Sequence, residues 1–583
     1  MSIDDRCPVG AAVPSSRRPP AEEHRPDELA EAVADLITGM VLRPWGQVSP
    51  SVYETGRLVT FAPWLSGHER RVSFLLETQR ADGTWGGPDD GYALVPTLSA
   101  VEALLSELAG ADRDGRSVQS APLVQSTHLV QSTHLGLDAL MARMCGPSAP
   151  DLDVPDLPAI ELIAPDLAGR INASLARMRE RPVPGLTDWA DRELGPPGGL
   201  GGVKLEAVRA LLTSGADVPK KLTHALEIAG DDAAGAPWLS PERTGTIGAS
   251  PAATAAWLGA RGASDRGDPA RWYLETVVEQ HGGPVPCGFP LTMFERGWVL
   301  AWLMRAGVPV TVPPQLVLSL TAPIGPAGTP AADGLPADAD TTAGTMYALA
   351  LLGAPRPPDP LYRYEMDDHF CTWQGEDGAS VTTNAHVLEA FGQYLRAETG
   401  NHIATGRYAA TVAKVARWLM AQQAADGSWS DRWHASPYYA TACSAIALAG
   451  FGGAYSATAV AAARRWLLDS QRQDGSWGHW EGTSEETAYA VQTLLLTDNA
   501  PDAEVRAAVS RAVPHLERSL AEPEDGTRDE PPLWHDKDLY RPSAIVRAAV
   551  LCALHLVRTM PDGADADGRG RGMGGGMALG SAR

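Results

Sequence analysis

Trp466-Leu467-Leu468-Asp469-Ser470-Gln471-Arg472-Gln473-Asp474-Gly475-Ser476-Trp477 decides the fold, because its pattern occurs three times. Phe74, Trp418 and Trp466 each lie five residues before a glutamine: Gln79, Gln423 and Gln471. Asp-Gly follows each Gln, and a tryptophan closes each unit: Trp85, Trp429 and Trp477. Trp429 and Trp477 are 48 residues apart, about one helical hairpin with its loops, and repeats of that length are stacked helical pairs. The Gly supplies a turn, the Gln amide can reach backbone groups at helix ends, and the Trp ring can cover them. These tryptophans therefore read as packing residues. Residues 413–420, 459–468 and 544–556 are Ala- and Leu-rich with helical periodicity, Gly, Pro and Asp punctuate the chain, and alternating patterns are nearly absent. The expected fold is all-α, with one repeat in the first half and two in the second marking two related α-barrels.

At 583 residues the chain has room for two or three domains. Its net charge of −23 argues against nucleic acid or an anionic membrane surface as the main partner. Cys7, Cys145, Cys287, Cys371, Cys443 and Cys552 show no metal-ligand spacing and read as reduced thiols of a cytoplasmic protein. No signal pattern opens the chain and no apolar run is long enough to span a membrane, so a soluble protein is expected. Residues 1–26 and 561–583 are too polar or Gly-rich to bury much surface and are expected to be disordered. The unit Leu-Val-Gln-Ser-Thr-His is duplicated at 123–128 and 129–134. Its period of six fits neither helix nor strand, and it reads as a surface-loop duplication in which His128 and His134 have no role.

Two carboxylates one residue apart stand out in Pro336-Ala337-Asp338-Ala339-Asp340-Thr341-Thr342, just before a helix-like stretch. Asp and Thr suit the first turn of a helix, so capping is one reading. The other is chemical: crowded carboxylates resist double ionisation, and one can keep a proton and act as a general acid.

The run resembles the DxDD acid motif of class II terpene cyclases, in the variant form DxDTT. Residues 69–85, 416–429 and 464–477 resemble the QW motifs of that family. Residues 294–298, 384–389 and 534–540 (Phe-Glu-Arg-Gly-Trp, Asn-Ala-His-Val-Leu-Glu and Trp-His-Asp-Lys-Asp-Leu-Tyr) are similar to further segments of bacterial members. The resemblance implies a βγ architecture: a helix within 27–47 joining a β domain at 286–560, with a γ domain at 48–285 and the substrate cavity between them. It implies that Asp340 protonates an alkene, Asp338 tunes it, and His386 hydrogen-bonds it, with Asn384 positioning either partner. Thr341 and Thr342 complete the motif, a hydroxyl standing where most relatives carry the third carboxylate. An acid near the ordinary value of about 3.9 is ionised at neutral pH, so the acid must be shielded in an apolar site.

The cationic intermediate needs aromatic walls and dryness, for which Trp298, Trp302, Trp373, Tyr489 and Tyr540 are candidates. A prenyl diphosphate substrate needs local basic groups: Arg432 in a DKW-like segment, Lys204 and Lys537. Glu161, in a family-like acidic segment, is the candidate Mg²⁺ ligand. Asp367-Asp368-His369-Phe370-Cys371 lacks the third Asp of a DDxxD cluster, so the product should keep its diphosphate. DxDTT resembles bacterial drimenyl diphosphate synthases, giving farnesyl diphosphate as the expected substrate and a drimane diphosphate as product. A copalyl-type cyclase of geranylgeranyl diphosphate and a non-catalytic α-barrel module are the alternatives. The oligomeric state stays open, a homodimer among the possibilities.

Overall fold

The computed structural model describes residues 28–113, 123–146, 152–196, 200–216, 218–397, 402–498, 500–521 and 530–561. Both tails expected to be disordered lie outside these residues, apart from Pro561. The first half carries α1 (Glu28–Leu42), α2 (Val52–Phe61), α3 (His68–Glu77), α4 (Asp90–Arg113) and α5 (Leu123–Cys145). It continues with α6 (Ile160–Arg177), α7 (Val203–Ser214), α8 (Pro251–Leu258), α9 (Arg261–Ser264) and α10 (Pro269–His281). The second half carries α11 (Thr292–Arg305), α12 (Pro314–Thr321), α13 (Ala339–Leu351), α14 (Val381–Ala397) and α15 (His402–Ala421). It ends with α16 (Pro437–Phe451), α17 (Ala457–Ser470), α18 (Ser484–Leu496), α19 (Ala503–Ala521) and α20 (Ser543–Thr559). Only two short hairpins interrupt this helical order among the described residues: β1 (Thr329–Pro330) with β2 (Ala337–Asp338), and β3 (Trp534–His535) with β4 (Leu539–Tyr540).

The helices close into two rings. In the second half, α11, α13, α14, α16, α18 and α20 each pack on the next, and α20 returns to α11. These inner helices are buried around most of their circumference, as the unbroken buried run of residues 341–350 in α13 shows. Outer helices such as α17 and α19 bury one face only, the pattern expected of a second layer. In the first half, α2, α4, α6, the 3-10 segment Lys220–Ala233 and α8 form the corresponding ring. The first helix belongs with the last. Leu29, Val33, Leu36, Ile37 and Met40 make one apolar stripe on α1, which packs on α20.

The three repeats are the corners of this construction. Gln79, Gln423 and Gln471 donate to the carbonyls of Gly83, Gly427 and Gly475, and also to Ser132, Ala459 and Ala508 on a neighbouring helix. Trp85, Trp429 and Trp477 are fully buried and donate from Nε1 to Leu75, Leu419 and Leu467, carbonyls near a helix end. Each ring thus satisfies a backbone acceptor that the helix itself leaves open.

Two expectations are corrected here. The duplicated six-residue unit lies wholly within α5, with His134 bonded to Asp138 at 2.9 Å and edge-on to Trp189, so it is helical and not a loop. Residues 91–110 are long and apolar enough to cross a membrane, yet 78% of their most apolar window is buried in the protein, which makes α4 a core helix.

Gly475 illustrates the tightness of these corners. Its φ is +89°, and an added Cβ would lie 2.3 Å from the Arg511 carbonyl oxygen. Gly353 has a similar φ of +77° but open space around it. Gly475→Ala is therefore expected to lose about 2–3 kcal/mol or more, against about 1 kcal/mol for Gly353→Ala. Urea unfolding of the two variants checks the difference.

Candidate active site

The β1–β2 hairpin delivers the two aspartates to the start of α13. Asp338 is the N-cap residue, in extended conformation, and its Oδ1 accepts the Thr341 backbone N–H at 2.6 Å. Its carboxyl is 3% exposed, and burial, reinforced by the charge of Asp340, pushes it up to about 8. Asp338 is therefore neutral at pH 7. Asp340 differs. It lies in the first turn, its side chain keeps 14% exposure, and its Oδ1 is 2.8 Å from His386 Nδ1. Capping and acid chemistry, alternatives in the sequence, are divided between the two residues.

His386 comes from the middle of α14, packed directly on α13. Burial opposes charge on the imidazole, but the adjacent Asp340 carboxylate outweighs it and holds the ring well above its ordinary value, with the Cys443 thiol assisting. Asp340 and His386 thus share one short hydrogen bond along which a proton can be held. The two threonines are fixed inside the protein. Thr342 Oγ1 donates to the Asp338 carbonyl at 2.5 Å and accepts the Thr329 N–H at 2.8 Å, clamping the hairpin to the helix. Thr341 is 1% exposed and contributes its backbone N–H to the cap. Asn384 does not position the acid. Its amide bonds the Phe370 N–H and carbonyl and the Ser380 carbonyl, tying a loop to α14 two residues before His386.

An aromatic cluster extends from the pair through Trp298. Trp298 meets His386 edge to face at 4.9 Å, stacks on Phe294 at 4.1 Å, and donates from Nε1 to Tyr439 Oη at 2.9 Å. Tyr439 continues the cluster to His434, Tyr489 and Trp534, with ring centroids 4.7, 5.3 and 4.7 Å away. Trp302 packs edge-on against Tyr489 at 5.7 Å, and Tyr540 tilts against Trp534 at 6.4 Å. Four of the five expected wall residues are therefore together. Trp373 is not among them: it is half-buried against Trp433, beside Arg432. Sequence reading missed Phe294, Tyr439, Trp534, His434 and Glu485. Phe294 and Trp534 stood in quoted segments, and the register of Trp298 would have pointed to Phe294 one turn earlier.

The basic residues fare unevenly. Lys537 is fully buried and gives all three ammonium protons to Glu54 Oε1, Glu227 Oε1 and Ser250 Oγ, each at 2.8 Å. Those partners hold it charged, and none of its donors is left for a substrate. Lys204 is exposed on α7, outside the aromatic cluster. Arg432 lies at a partly open position, 2.5 Å from Asp156 and 3.6 Å from Glu376, donating to the Asp377 carbonyl, with its Nε buried and without a partner. Glu161 is half-buried in the first turn of α6, and among the described residues no three His, Cys, Asp or Glu side chains converge on a metal site. These residues do not form a preassembled Mg²⁺ site, and no step is derived through one.

The squalene-hopene cyclase C-terminal domain family matches residues 375–531. An ent-copalyl diphosphate synthase from Streptomyces sp. (strain KO-3988) is 41% identical over 535 residues, 92% of this chain and 97% of that protein. The chain belongs to the class II terpene cyclases. A labda-7,13-dienyl diphosphate synthase from Streptomyces clavuligerus is 39% identical over 93% of this chain and 95% of its own length. Among solved structures, ent-copalyl diphosphate synthase from Streptomyces platensis superposes with a TM-score of 0.83 at 43% identity, covering 91% of this chain and all of that one.

A class II cyclase must protonate an isolated alkene, and Asp340 is the more accessible carboxyl of the motif, Asp338 being buried. Asp340→Asn is expected to lower kcat by about 10²–10⁴-fold with folding and KM nearly unchanged, read by single-turnover kinetics. Asp338→Asn keeps an oxygen acceptor for the Thr341 N–H but cannot ionise. Wild-type activity should fall as pH rises through about 8, because a second negative charge beside Asp340 opposes its conjugate base, and this limb should flatten in Asp338→Asn. The sign for stability is the same. The folded protein holds the Asp338 proton up to about pH 8 while the unfolded chain releases it near 4, so this residue's stabilisation is lost across that window. Asp338→Asn should gain most over wild type at pH 8 and least at pH 4, as thermal unfolding measures.

Proposed function

We propose that this class II cyclase converts geranylgeranyl diphosphate to a bicyclic copalyl-type diphosphate, the diphosphate being retained. The Asp340–His386 pair, with Trp298 against its imidazole, carries the reaction class. The proton held between His386 Nδ1 and Asp340 Oδ1 passes through the Asp340 carboxyl to the distal alkene, so the pair ends one proton poorer, as carboxylate and neutral imidazole. The carbocation closes two rings against the aromatic walls and then loses a proton.

Similarity to ent-copalyl diphosphate synthases over more than nine-tenths of the chain supports the twenty-carbon substrate. The farnesyl reading rested on the DxDTT pattern alone. Thr341 sits at the acid end, where fifteen- and twenty-carbon chains present the same terminal isoprene unit, so it has no means of reading chain length. Length must be read at the other end, where the diphosphate is held, and Arg432 is the basic group proposed there. Mg²⁺ enters this proposal as a counter-ion carried in by the diphosphate.

Competition between farnesyl and geranylgeranyl diphosphates in the presence of Mg²⁺ tests the assignment. The expected result is a kcat/KM at least about tenfold higher for the twenty-carbon substrate, since a misplacement of about 1 Å can cost ~100-fold. Mass spectrometry after dephosphorylation should show a bicyclic C20 alcohol. A preference for the fifteen-carbon chain and a drimane product would reverse the reading.

A further inference from the structure

Glu485 is a buried carboxylate with no cation against it. It lies in the first turn of α18 and is 2% exposed. Its Oε1 accepts three hydrogen bonds, from Trp534 Nε1 at 2.7 Å, Tyr489 Oη at 2.9 Å and His434 Nε2 at 3.2 Å. All three donors are on rings of the aromatic cluster. The His434 ring does not neutralise it: Nδ1 accepts the Ser436 backbone N–H at 3.0 Å, so this is the neutral tautomer that donates from Nε2. Arg541 acts on Glu485 only through space, its guanidinium being engaged by Glu530 at 2.9 Å. Among the described residues, no Lys or Arg nitrogen lies within ion-pair distance of Glu485.

Burying such a charge without a counter-ion is costly, and an amide in its place could accept the same three bonds. Yet the geometry favours the ionised carboxyl: burial opposes the charge, but three ring donors converge on one oxygen and Arg541 adds a through-space attraction. The N-terminal end of α18 adds a favourable field. The rings it holds lead straight to the acid, from Tyr489 and Trp534 to Tyr439, then Trp298, His386 and Asp340. The buried Tyr540 hydroxyl lies within electrostatic reach of both Asp340 and Glu485.

We propose that Glu485 is the fixed counter-charge for the carbocation formed during cyclisation, a positioning residue that orients three rings and supplies the negative field behind them. In a dry, low-dielectric site such a charge acts over several ångströms and needs no contact with the substrate. The inference rests on cyclisation through a cation and is independent of chain length.

Glu485→Gln keeps the shape and the acceptor while removing the charge. The expected result, with geranylgeranyl or farnesyl diphosphate, is a kcat about 10²-fold lower, a KM within threefold of wild type and an unchanged near-ultraviolet circular dichroism spectrum. A second measurement needs no turnover. A prenyl diphosphate analogue with a tertiary amine in place of the cationic carbon should bind wild type at least tenfold tighter than its uncharged hydrocarbon isostere, by calorimetry. That preference should survive in Asp340→Asn and disappear in Glu485→Gln. Wild-type kcat in folded Glu485→Gln, equal binding of the two analogues by wild type, or a preference abolished by Asp340→Asn instead would overturn the assignment.

Discussion

Three consecutive residues in one hairpin turn hold the two helix rings together. Asp536 meets His224 at 2.8 Å, Lys537 meets Glu54, Glu227 and Ser250, and Asp538 accepts from Ser51 Oγ at 2.8 Å and the Tyr53 N–H at 3.0 Å. All the partners come from the first half of the chain. A buried ammonium is tolerated only with its donors fully used, and removing one partner of such a group typically costs about 3–5 kcal/mol. The strands on either side of this turn carry Trp534 and Tyr540, which belong to the aromatic cluster. Docking of the rings and shaping of the site are thus one event, executed by β3 and β4.

The buried carboxylates show how environment separates roles that composition leaves identical. Asp338 is desolvated beside another carboxylate and is neutral. Asp340 lies 2.8 Å from an imidazole and is not fully buried, so a proton can pass between the two groups. Glu485 receives three ring donors and remains an anion. Each state follows from the surroundings of its carboxyl, so the three differ in the chemistry open to them.

Local order carried most of what could be read in advance. The Gln-Asp-Gly-Trp units declare the corners because the Gln-to-Gly and Trp-to-Leu bonds that make each corner fall within ten residues. The pairing of Asp340 with His386 was reachable through the resemblance, although 46 residues separate them. Lys537 was misread for a physical reason. A lysine in a family-like segment looks available until Glu54, Glu227 and Ser250 are seen around it, and they lie 483, 310 and 287 residues away. Asn384 failed likewise, its amide being used by Phe370 and Ser380. The duplicated unit misled through its period: a helix tolerates a period of six when only some positions need burial, and α5 buries Ser132, Thr133, Leu137 and Leu140 while leaving His134 outside.

The hairpin also bears on how a chain is measured. His535 donates from Nδ1 to the Arg432 carbonyl at 2.8 Å, and its Nε2 is 3.0 Å from Tyr92 Oη on α4 of the first ring. Burial holds this imidazole down to about 4, so it stays neutral and accepts from the tyrosine throughout the physiological range. Arg432 is therefore fixed by its backbone to the strand that docks the rings, while its side chain reaches across to Asp156 of the first half. Asp340, by contrast, is fixed to α13 inside the second ring. If the diphosphate is gripped at Arg432, the distance available to a prenyl chain is set by how β3 and β4 sit against α4. Residues that never touch the acid would then select substrate length, and the DxDTT run would carry reactivity alone.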